Sequence, residues 1–153
     1  MKFYQLQPEQ RRKLLQDEGL ELEDIDDQVL QKAKDGVYCN ASVKGLPKDL
    51  LEKYFEKMGD RFYKISDEIK NCVEFKKSNL LKDPYPTGCH LIVCRNVVIY
   101  FTEEAKHDIY YKFNKSLVNG GCLFVGNTEQ IINHKDLGYD FDQLFFYRKV
   151  KEL

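Results

Sequence analysis

The chain has 153 residues, enough for one domain with a sizeable apolar core. Its formal net charge is −1, because 24 Lys and Arg balance 25 Asp and Glu. That balance argues against a dedicated nucleic-acid-binding protein, which usually carries a strong excess of basic residues.

The five cysteines are odd in number and form no C-x-x-C pair. Neither a disulfide scaffold nor a zinc site is therefore expected, and no metal is predicted. The N-terminus lacks the apolar segment of a signal peptide, and no apolar stretch approaches the ~20 residues that cross a bilayer. Together with the free cysteines, these features predict a soluble protein in the reducing cytoplasm.

The first third of the chain predicts alternating strands and helices. A short strand is expected at residues 2–6 and a helix at residues 8–18. Residues 20–25 begin by alternating Leu and Glu, which is typical of a half-exposed strand. A helix is predicted to begin at Asp26 and to end at Gly36, since these residues favour its two ends.

The middle of the chain predicts less regular structure. Pro47 is expected to start a helix, because proline suits the first helical turn. Residues 59–69 are mostly polar with interspersed aromatics and are expected to be the most irregular segment. Strands are predicted at residues 73–75 and 91–94, with a proline-containing loop between them.

The last third predicts a long helix and two strands. Thr102 is a good N-cap for a helix over residues 103–118, which residues 119–121 (Asn-Gly-Gly) are expected to end. Strands are predicted at residues 122–125 and 144–147. Strands that alternate with helices indicate an α/β fold with a mainly parallel sheet.

Polar residues follow the apolar strand at residues 91–94. Arg95 and Asn96 stand where that strand should end, before a second apolar run. In open α/β sheets, ligands bind outside the carboxyl ends of the strands, so this pair is a candidate for ligand contact. The alternative is that Arg95 and Asn96 only finish the strand and cap the turn.

Asp24 also follows a predicted strand. An acid at the end of the second strand of a dinucleotide-type unit accepts hydrogen bonds from ribose hydroxyls. The alternative is that Asp24 caps the next helix, a role that is equally open to Asp26.

Four segments carry a family resemblance. They are, in chain order, residues 24–38 (which include VLQKAKDGVY), 73–81 (VEFKKSNLL), 94–101 (CRNVVIYF) and 120–129 (GGCLFVGNTE). In this order they resemble motifs of the CheR family, S-adenosylmethionine-dependent methyltransferases that esterify glutamates on bacterial chemoreceptors. The resemblance covers about residues 22–148.

The resemblance implies a truncated three-layer, Rossmann-like methyltransferase fold. It predicts one partial domain over residues 1–153, with a mainly parallel sheet, an antiparallel C-terminal strand and a small β appendage at residues 59–70. The implied function is protein-glutamate O-methyl transfer, with S-adenosylmethionine as cofactor. The implied partner is the cytoplasmic region of a chemoreceptor.

The resemblance also implies the site residues. It assigns cofactor contacts to Asp24, Asn79, Leu80, Arg95 and Asn96. Asp24 would bind the ribose, whereas Asn79 and Leu80 would frame the adenine. Tyr100 and Arg95 are the implied catalytic residues, with Tyr100 near the transferred methyl. The alternative for Tyr100 is a core aromatic with a satisfied hydroxyl.

Two parts of the family pattern have no match. The family's Gly-rich cofactor loop is not seen, since the first glycine is Gly19 and no G-x-G precedes Asp24. The family's N-terminal helical domain is also unmatched. We therefore expect weakened cofactor binding and little methyltransferase activity, and the alternative function is a non-catalytic interaction domain.

The unmatched loop also implies a missing strand at the centre of the sheet. In the family this strand lies between the strands that end at Asp24 and Asn96. Residues 2–6 are predicted to fill that place, because two open apolar strand edges would favour aggregation. The alternative is a homodimer or a partner chain that completes the sheet.

Overall fold

The computed structural model describes residues 20–153. The strand and helix predicted at residues 2–6 and 8–18 lie outside the described residues. The chain divides into two compact units with a boundary between Asn79 and Leu80.

The first unit contains a parallel strand pair and a capped helix. Strand β1 (Leu20–Asp24) pairs in parallel with β5 (Val73–Lys77), and helix α1 (Asp27–Asp35) follows β1. The Asp26 side chain accepts a hydrogen bond from the backbone N–H of Gln28, as an N-cap does. Gly36 ends α1 in the left-handed conformation, with φ of 66°, so both predicted ends of this helix are confirmed.

The first unit also contains a three-stranded antiparallel sheet. Its strands are β2 (Val37–Cys39), β3 (Phe55–Met58) and β4 (Phe62–Ile65), in the order β2-β4-β3. Three short helices accompany it: α2 (Asn40–Val43), α3 (Lys48–Tyr54) and α4 (Asp67–Lys70).

The expectation that residues 59–69 are irregular is wrong. That segment contributes β4 and most of α4, because Phe62 and Tyr63 pair with residues of β2 and β3 on both sides. The sheet also extends beyond residues 59–70, to strands that begin at Val37 and Phe55. That this sheet is an appendage of a single domain remains a prediction.

The second unit is built on a mixed four-stranded sheet. Its strands are β6 (Cys89–Cys94), β7 (Leu117–Val125), β8 (Tyr139–Gln143) and β9 (Phe146–Lys149), in the order β6-β7-β9-β8. β6 and β7 are parallel, whereas β9 is antiparallel to both β7 and β8. The predicted α/β class and antiparallel C-terminal strand are thereby confirmed.

The C-terminal strand is one half of a hairpin. A single strand was predicted at residues 144–147, but β8 and β9 flank a turn in which Phe145 has a φ of 66°. Residues 144–147 therefore begin with a turn and do not form one continuous strand.

Helix α5 (Glu103–Ser116) is shorter than predicted. The Thr102 hydroxyl accepts a hydrogen bond from the Ala105 N–H at 3.3 Å, which confirms the N-cap. The helix ends at Ser116 because the next residue begins β7, where Leu117 is paired with Cys89 and buried. Strand pairing, rather than the Asn-Gly-Gly segment, thus ends the helix.

The main apolar core lies in the second unit. Helix α5 packs against the sheet through side chains that include Ile109 and Phe113. The other buried members of this core are Cys94, Val98, Tyr110, Leu117, Leu123, Val125, Ile131, Leu137, Tyr139 and Tyr147. Within residues 20–153, no helix has the length and apolar character needed to span a membrane.

Candidate functional site

The carboxyl end of β6 leads into a tight turn. Asn96 has a φ of 59°, a left-handed conformation that is uncommon for residues other than glycine. A short 3₁₀ helix (Val98–Tyr100) follows at once. Arg95 and Asn96 are both exposed just beyond the strand end, which is where the sequence places them.

Glu129 holds this turn from behind. Its Oε2 accepts hydrogen bonds from the N–H groups of Asn96 and Gly126, both at 2.7 Å. Its Oε1 accepts from the N–H groups of Val97 at 2.8 Å and Val98 at 2.9 Å. Glu129 is only 4% exposed, so these four bonds replace the water that a carboxylate otherwise needs.

Sequence reasoning assigned no role to Glu129. The residue belongs to the motif at residues 120–129, but nothing local shows that its carboxylate reaches a turn more than thirty residues away. The available signal was an acid three residues after Gly126, directly beyond a buried strand. A Cβ at Gly126 would overlap the Glu129 carboxylate and lie 2.9 Å from Asn96 Oδ1, so a larger residue there would force these side chains to shift.

Arg95 lies on an aromatic stack. Its guanidinium carbon is 4.9 Å from the centre of the Phe124 ring, within the range of a cation–π interaction. Phe124 in turn stacks on Phe146, with ring centres 4.2 Å apart and planes 5° apart. The stack restricts the guanidinium while leaving Arg95 exposed for a ligand.

Tyr100 does not belong to the core. It ends the 3₁₀ helix with 80% of its surface exposed, so the alternative of a core aromatic is wrong. Leu80, at the start of the same unit, packs partly buried against the core. Its carbonyl oxygen accepts a hydrogen bond from the Tyr85 hydroxyl at 2.8 Å.

Asp24 and Asn79 lie at one edge of the β1–β5 pair. The Ser78 N–H donates to the Asp24 carbonyl at 3.0 Å, which brings Asn79 to the same carboxyl edge. Asp24 Oδ1 accepts from the Asp26 N–H at 2.9 Å, and Asp26 is the residue that caps α1. The helix-capping role therefore belongs to Asp26, and Asp24 Oδ2 has no hydrogen-bond partner within residues 20–153.

The buried thiol of Cys94 and the half-buried thiol of Cys122 are not suited to nucleophilic chemistry. Burial, and secondarily the Glu129 carboxylate, raises the pKa of Cys94 to about 12. Burial also raises the pKa of Cys122. Both side chains stay protonated at neutral pH, whereas a nucleophilic cysteine needs the thiolate. Residues 20–153 contain no group of three His, Cys, Asp or Glu side chains arranged to hold a metal.

A family model described as the SAM-binding domain of CheR methyltransferase matches residues 13–143. The strand-end residues thus belong to a domain class that binds S-adenosylmethionine. The chain is a member of the CheR methyltransferase family. This confirms the family predicted from the sequence motifs, and S-adenosylmethionine is the cofactor of the family's domain.

Two curated relatives that match most of this chain carry the same name. A chemotaxis protein methyltransferase of Listeria innocua is 41% identical over 127 residues, which cover 83% of this chain and 48% of the relative. The protein of the same name from Borreliella burgdorferi is 36% identical over 118 residues, covering 76% of this chain and 42% of the relative. The chain thus spans less than half the length of these relatives.

Proposed function

We propose that the chain carries the nucleoside-binding part of a protein-glutamate O-methyltransferase that modifies chemoreceptors. The observation that carries this proposal is the turn at the end of β6. There, a buried carboxylate holds Asn96 in a left-handed conformation beside an Arg95 restricted by Phe124. The names of the curated relatives support chemotaxis as the setting, whereas the receptor glutamate and a cytoplasmic location are parts of the proposal.

The side chains assigned to the cofactor site carry groups that suit the binding of a nucleoside. Asp24 Oδ2 can accept a hydrogen bond from a ribose hydroxyl, because only Oδ1 is used by Asp26. Asn79 offers an amide to the adenine edge and Leu80 an aliphatic side chain to its face. Asn96 and Arg95 offer an amide and a guanidinium for the rest of the cofactor.

Methyl transfer to glutamate requires orientation more than acid–base chemistry. The cofactor, when bound, supplies a methyl group activated by a sulfonium. The acceptor carboxylate is already ionised at neutral pH, since its ordinary pKa is about 4.3. We assign to Tyr100, a residue that is 80% exposed, a hydrogen bond that orients this carboxylate, and to Arg95 the electrostatic attraction of the carboxylate.

Cofactor affinity is testable by calorimetric titration with S-adenosylhomocysteine. Without a Gly-rich loop in this sequence, we expect submillimolar affinity at best, because each hydrogen bond to a charged group is worth ~1.5–3 kcal/mol. Asp24→Ala and Asn79→Ala should weaken binding further. The matched controls Asp60→Ala and Asn71→Ala change exposed residues of the same unit and should not. Tight binding that Asp24→Ala and Asn79→Ala leave unchanged would contradict the proposed site.

Activity is testable by radiolabelled methyl transfer to a chemoreceptor cytoplasmic fragment. A full-length family member serves as the positive control. We expect little or no transfer by this chain, because near-attack geometry of ~3–3.5 Å requires a cofactor held at both ends. Transfer near the control's rate that Tyr100→Phe abolishes would show that the chain supplies a complete site.

The second candidate function is a non-catalytic interaction domain. It is favoured by the absence of a G-x-G motif before Asp24. This function predicts that a receptor fragment binds with the same affinity with and without S-adenosylhomocysteine. The proposed enzyme function predicts that Arg95→Ala weakens S-adenosylhomocysteine binding, whereas the interaction function predicts no cofactor effect at all.

Completion of the sheet by another strand also stays a proposal. Among the described residues, β1 pairs only with β5, and β6 pairs only with β7. Sedimentation distinguishes a homodimer or a bound partner chain from a monomer in which residues 2–6 supply the strand.

A further inference from the structure

Glu129 is a buried acid whose carboxylate accepts hydrogen bonds from backbone groups only, among the described residues. No Lys or Arg of the described chain forms an ion pair with it, and its four hydrogen-bond donors are N–H groups. These donors come from two places, the turn after β6 and Gly126 after β7. The carboxylate therefore ties together the carboxyl ends of two neighbouring parallel strands.

The turn after β6 needs such a support. A non-glycine residue in the left-handed region is disfavoured by its own Cβ. Asn96 adopts this conformation with its N–H pointing at Glu129 Oε2, and the next two N–H groups point at Oε1. The direction in which Arg95 and Asn96 leave the strand end thus depends on the carboxylate.

We propose that Glu129 is a positioning residue for the cofactor site, acting through the backbone of Asn96, Val97 and Val98. The inference rests on the proposed function, because it assigns to Glu129 the orientation of Arg95 and Asn96 toward the cofactor. Glu129 itself is buried behind the turn and does not contact the cofactor.

Glu129→Gln is the most specific test variant. Each carboxylate oxygen accepts hydrogen bonds from two backbone N–H groups. In Glu129→Gln, an NH₂ group replaces one of these oxygens. Because NH₂ is a donor, two backbone N–H groups would lose their acceptor. The shape of the side chain is kept. The matched control is Asn114→Ala, which removes another fully buried polar side chain whose Nδ2 donates to the carbonyls of Leu137 and Lys151, away from the turn.

The first measurement is amide hydrogen exchange of the full chain by NMR. In Glu129→Gln, the N–H groups of Asn96, Val97, Val98 and Gly126 should exchange at least ~10-fold faster, as expected when about 1.4 kcal/mol of protection is lost. Amides of the β7–β9 pair should keep their rates, and Asn114→Ala should leave the turn unchanged. Unchanged exchange at the turn in Glu129→Gln would overturn the proposal.

The second measurement is affinity for S-adenosylhomocysteine, compared with the loss of stability in urea. Glu129→Gln should bind at least ~10-fold more weakly than the wild-type chain. Asn114→Ala should stay within about twofold despite a comparable loss of stability. A purely structural role would make the two variants equal in affinity, which would overturn the proposal.

A second variant covers the case in which Glu129→Gln fails to fold. A Cβ in Gly126→Ala would overlap the Glu129 carboxylate and displace it from Asn96. This variant should show the same faster exchange at Asn96 and weaker binding, and Gly45→Ala is its control because a Cβ there meets nothing within 4 Å. If Gly126→Ala binds normally, the positioning role is wrong. If the wild-type chain does not bind at all, the proposed function fails and the positioning role with it.

Discussion

The two units of the chain differ in how they bury their side chains. In residues 80–153, helix α5 and the four-stranded sheet enclose a continuous apolar core. In the described part of the first unit, residues 20–79, Leu30 and Val43 are the buried apolar residues.

The polar contacts follow the same division. In the second unit, Glu129, Asn114 and Lys149 are buried and hydrogen-bonded. In the first unit, the bonds of Asp24 and Asn40 are exposed to water. Because buried hydrogen bonds rigidify their surroundings, Arg95 and Asn96 are held more firmly than Asp24. The comparison predicts that equivalent substitutions cost more in the second unit.

The largest expected difference concerns thiol reactivity. Burial raises the pKa of Cys94 to about 12, whereas a hydrogen bond with Ser42 lowers the pKa of the exposed Cys39 from its ordinary value of 9.0. At pH 8 the thiolate fraction of Cys39 therefore exceeds that of Cys94 by roughly 1,000-fold, and Cys39 should react with iodoacetamide much faster than Cys94. Peptide mass spectrometry measures the two rates.

The thiol comparison has an internal control. In denaturant, Cys39 and Cys94 should react at similar rates, because the folded environment sets the difference. Since the pKa of Cys39 is lowered, its labelling should rise at lower pH than that of a free cysteine, and Ser42→Ala should move the rise upward. Equal native rates for both thiols would mean that the second unit opens as easily as the first.

The next largest effect is expected from matched leucines. Leu123 is fully buried in β7, whereas Leu50 in α3 is 41% exposed. Leu123→Ala should lower the free energy of unfolding by about 2–5 kcal/mol, because it leaves a cavity. Leu50→Ala should cost about 1 kcal/mol or less. Urea denaturation measures both, and equal losses would contradict the difference between the units.

Matched asparagines should give a smaller contrast. Asn114 is buried, and Asn114→Ala would leave the Leu137 and Lys151 carbonyls without their donor, a cost of about 1–3 kcal/mol. Asn40 Nδ2 donates to the Asp60 carbonyl at 2.8 Å in an exposed position. Asn40→Ala should cost about 0.5 kcal/mol, since water replaces the lost bond. A greater thermal shift for Asn40→Ala than for Asn114→Ala would reverse the comparison.

The smallest effects are expected from two exposed carboxylates. A hydrogen bond from Lys70 lowers the pKa of Asp67 in the first unit, and one from Lys149 lowers that of Glu152 in the second. A lowered pKa adds stability above the unfolded-state pKa, and this stability is lost as pH falls through the folded-state pKa. Both contributions should therefore disappear below the ordinary values of 3.8 and 4.5.

Urea midpoints between pH 2 and 6 test this carboxylate prediction. Asp67→Asn should only slightly reduce the loss of stability at acid pH. In 1 M NaCl, most of the difference in stability between this variant and the wild-type chain should disappear. Glu152→Gln should have the greater effect, because it leaves the buried ammonium of Lys149 with one fewer partner. A greater effect of Asp67→Asn than of Glu152→Gln would contradict the expectation that substitutions cost more in the second unit.

Local sequence signals predicted several elements well. Asp26 and Gly36 cap the two ends of α1, and Thr102 caps the start of α5. These ends are predictable because capping depends on hydrogen bonds within a few residues. The order of motifs around Arg95 also identified the family correctly. The exposed positions of Arg95 and Asn96 followed from the general rule for strand ends.

Tertiary contacts decided the rest. Helix α5 stops at Ser116 because Leu117 gains a strand partner, Cys89, that lies far away in sequence. The hairpin of β8 and β9 likewise depends on pairing with β7 rather than on local composition.

The difference between what the sequence determines and what the tertiary structure decides is clearest at Glu129. The sequence determines that an acid follows a glycine after a buried strand, and that Asn96 follows another strand. Only the folded chain brings the carboxylate to the N–H groups of residues 96–98, because β6 and β7 lie in register side by side. A contact that spans more than thirty residues has no local signal, since its energy arises only when both strand ends are already in place.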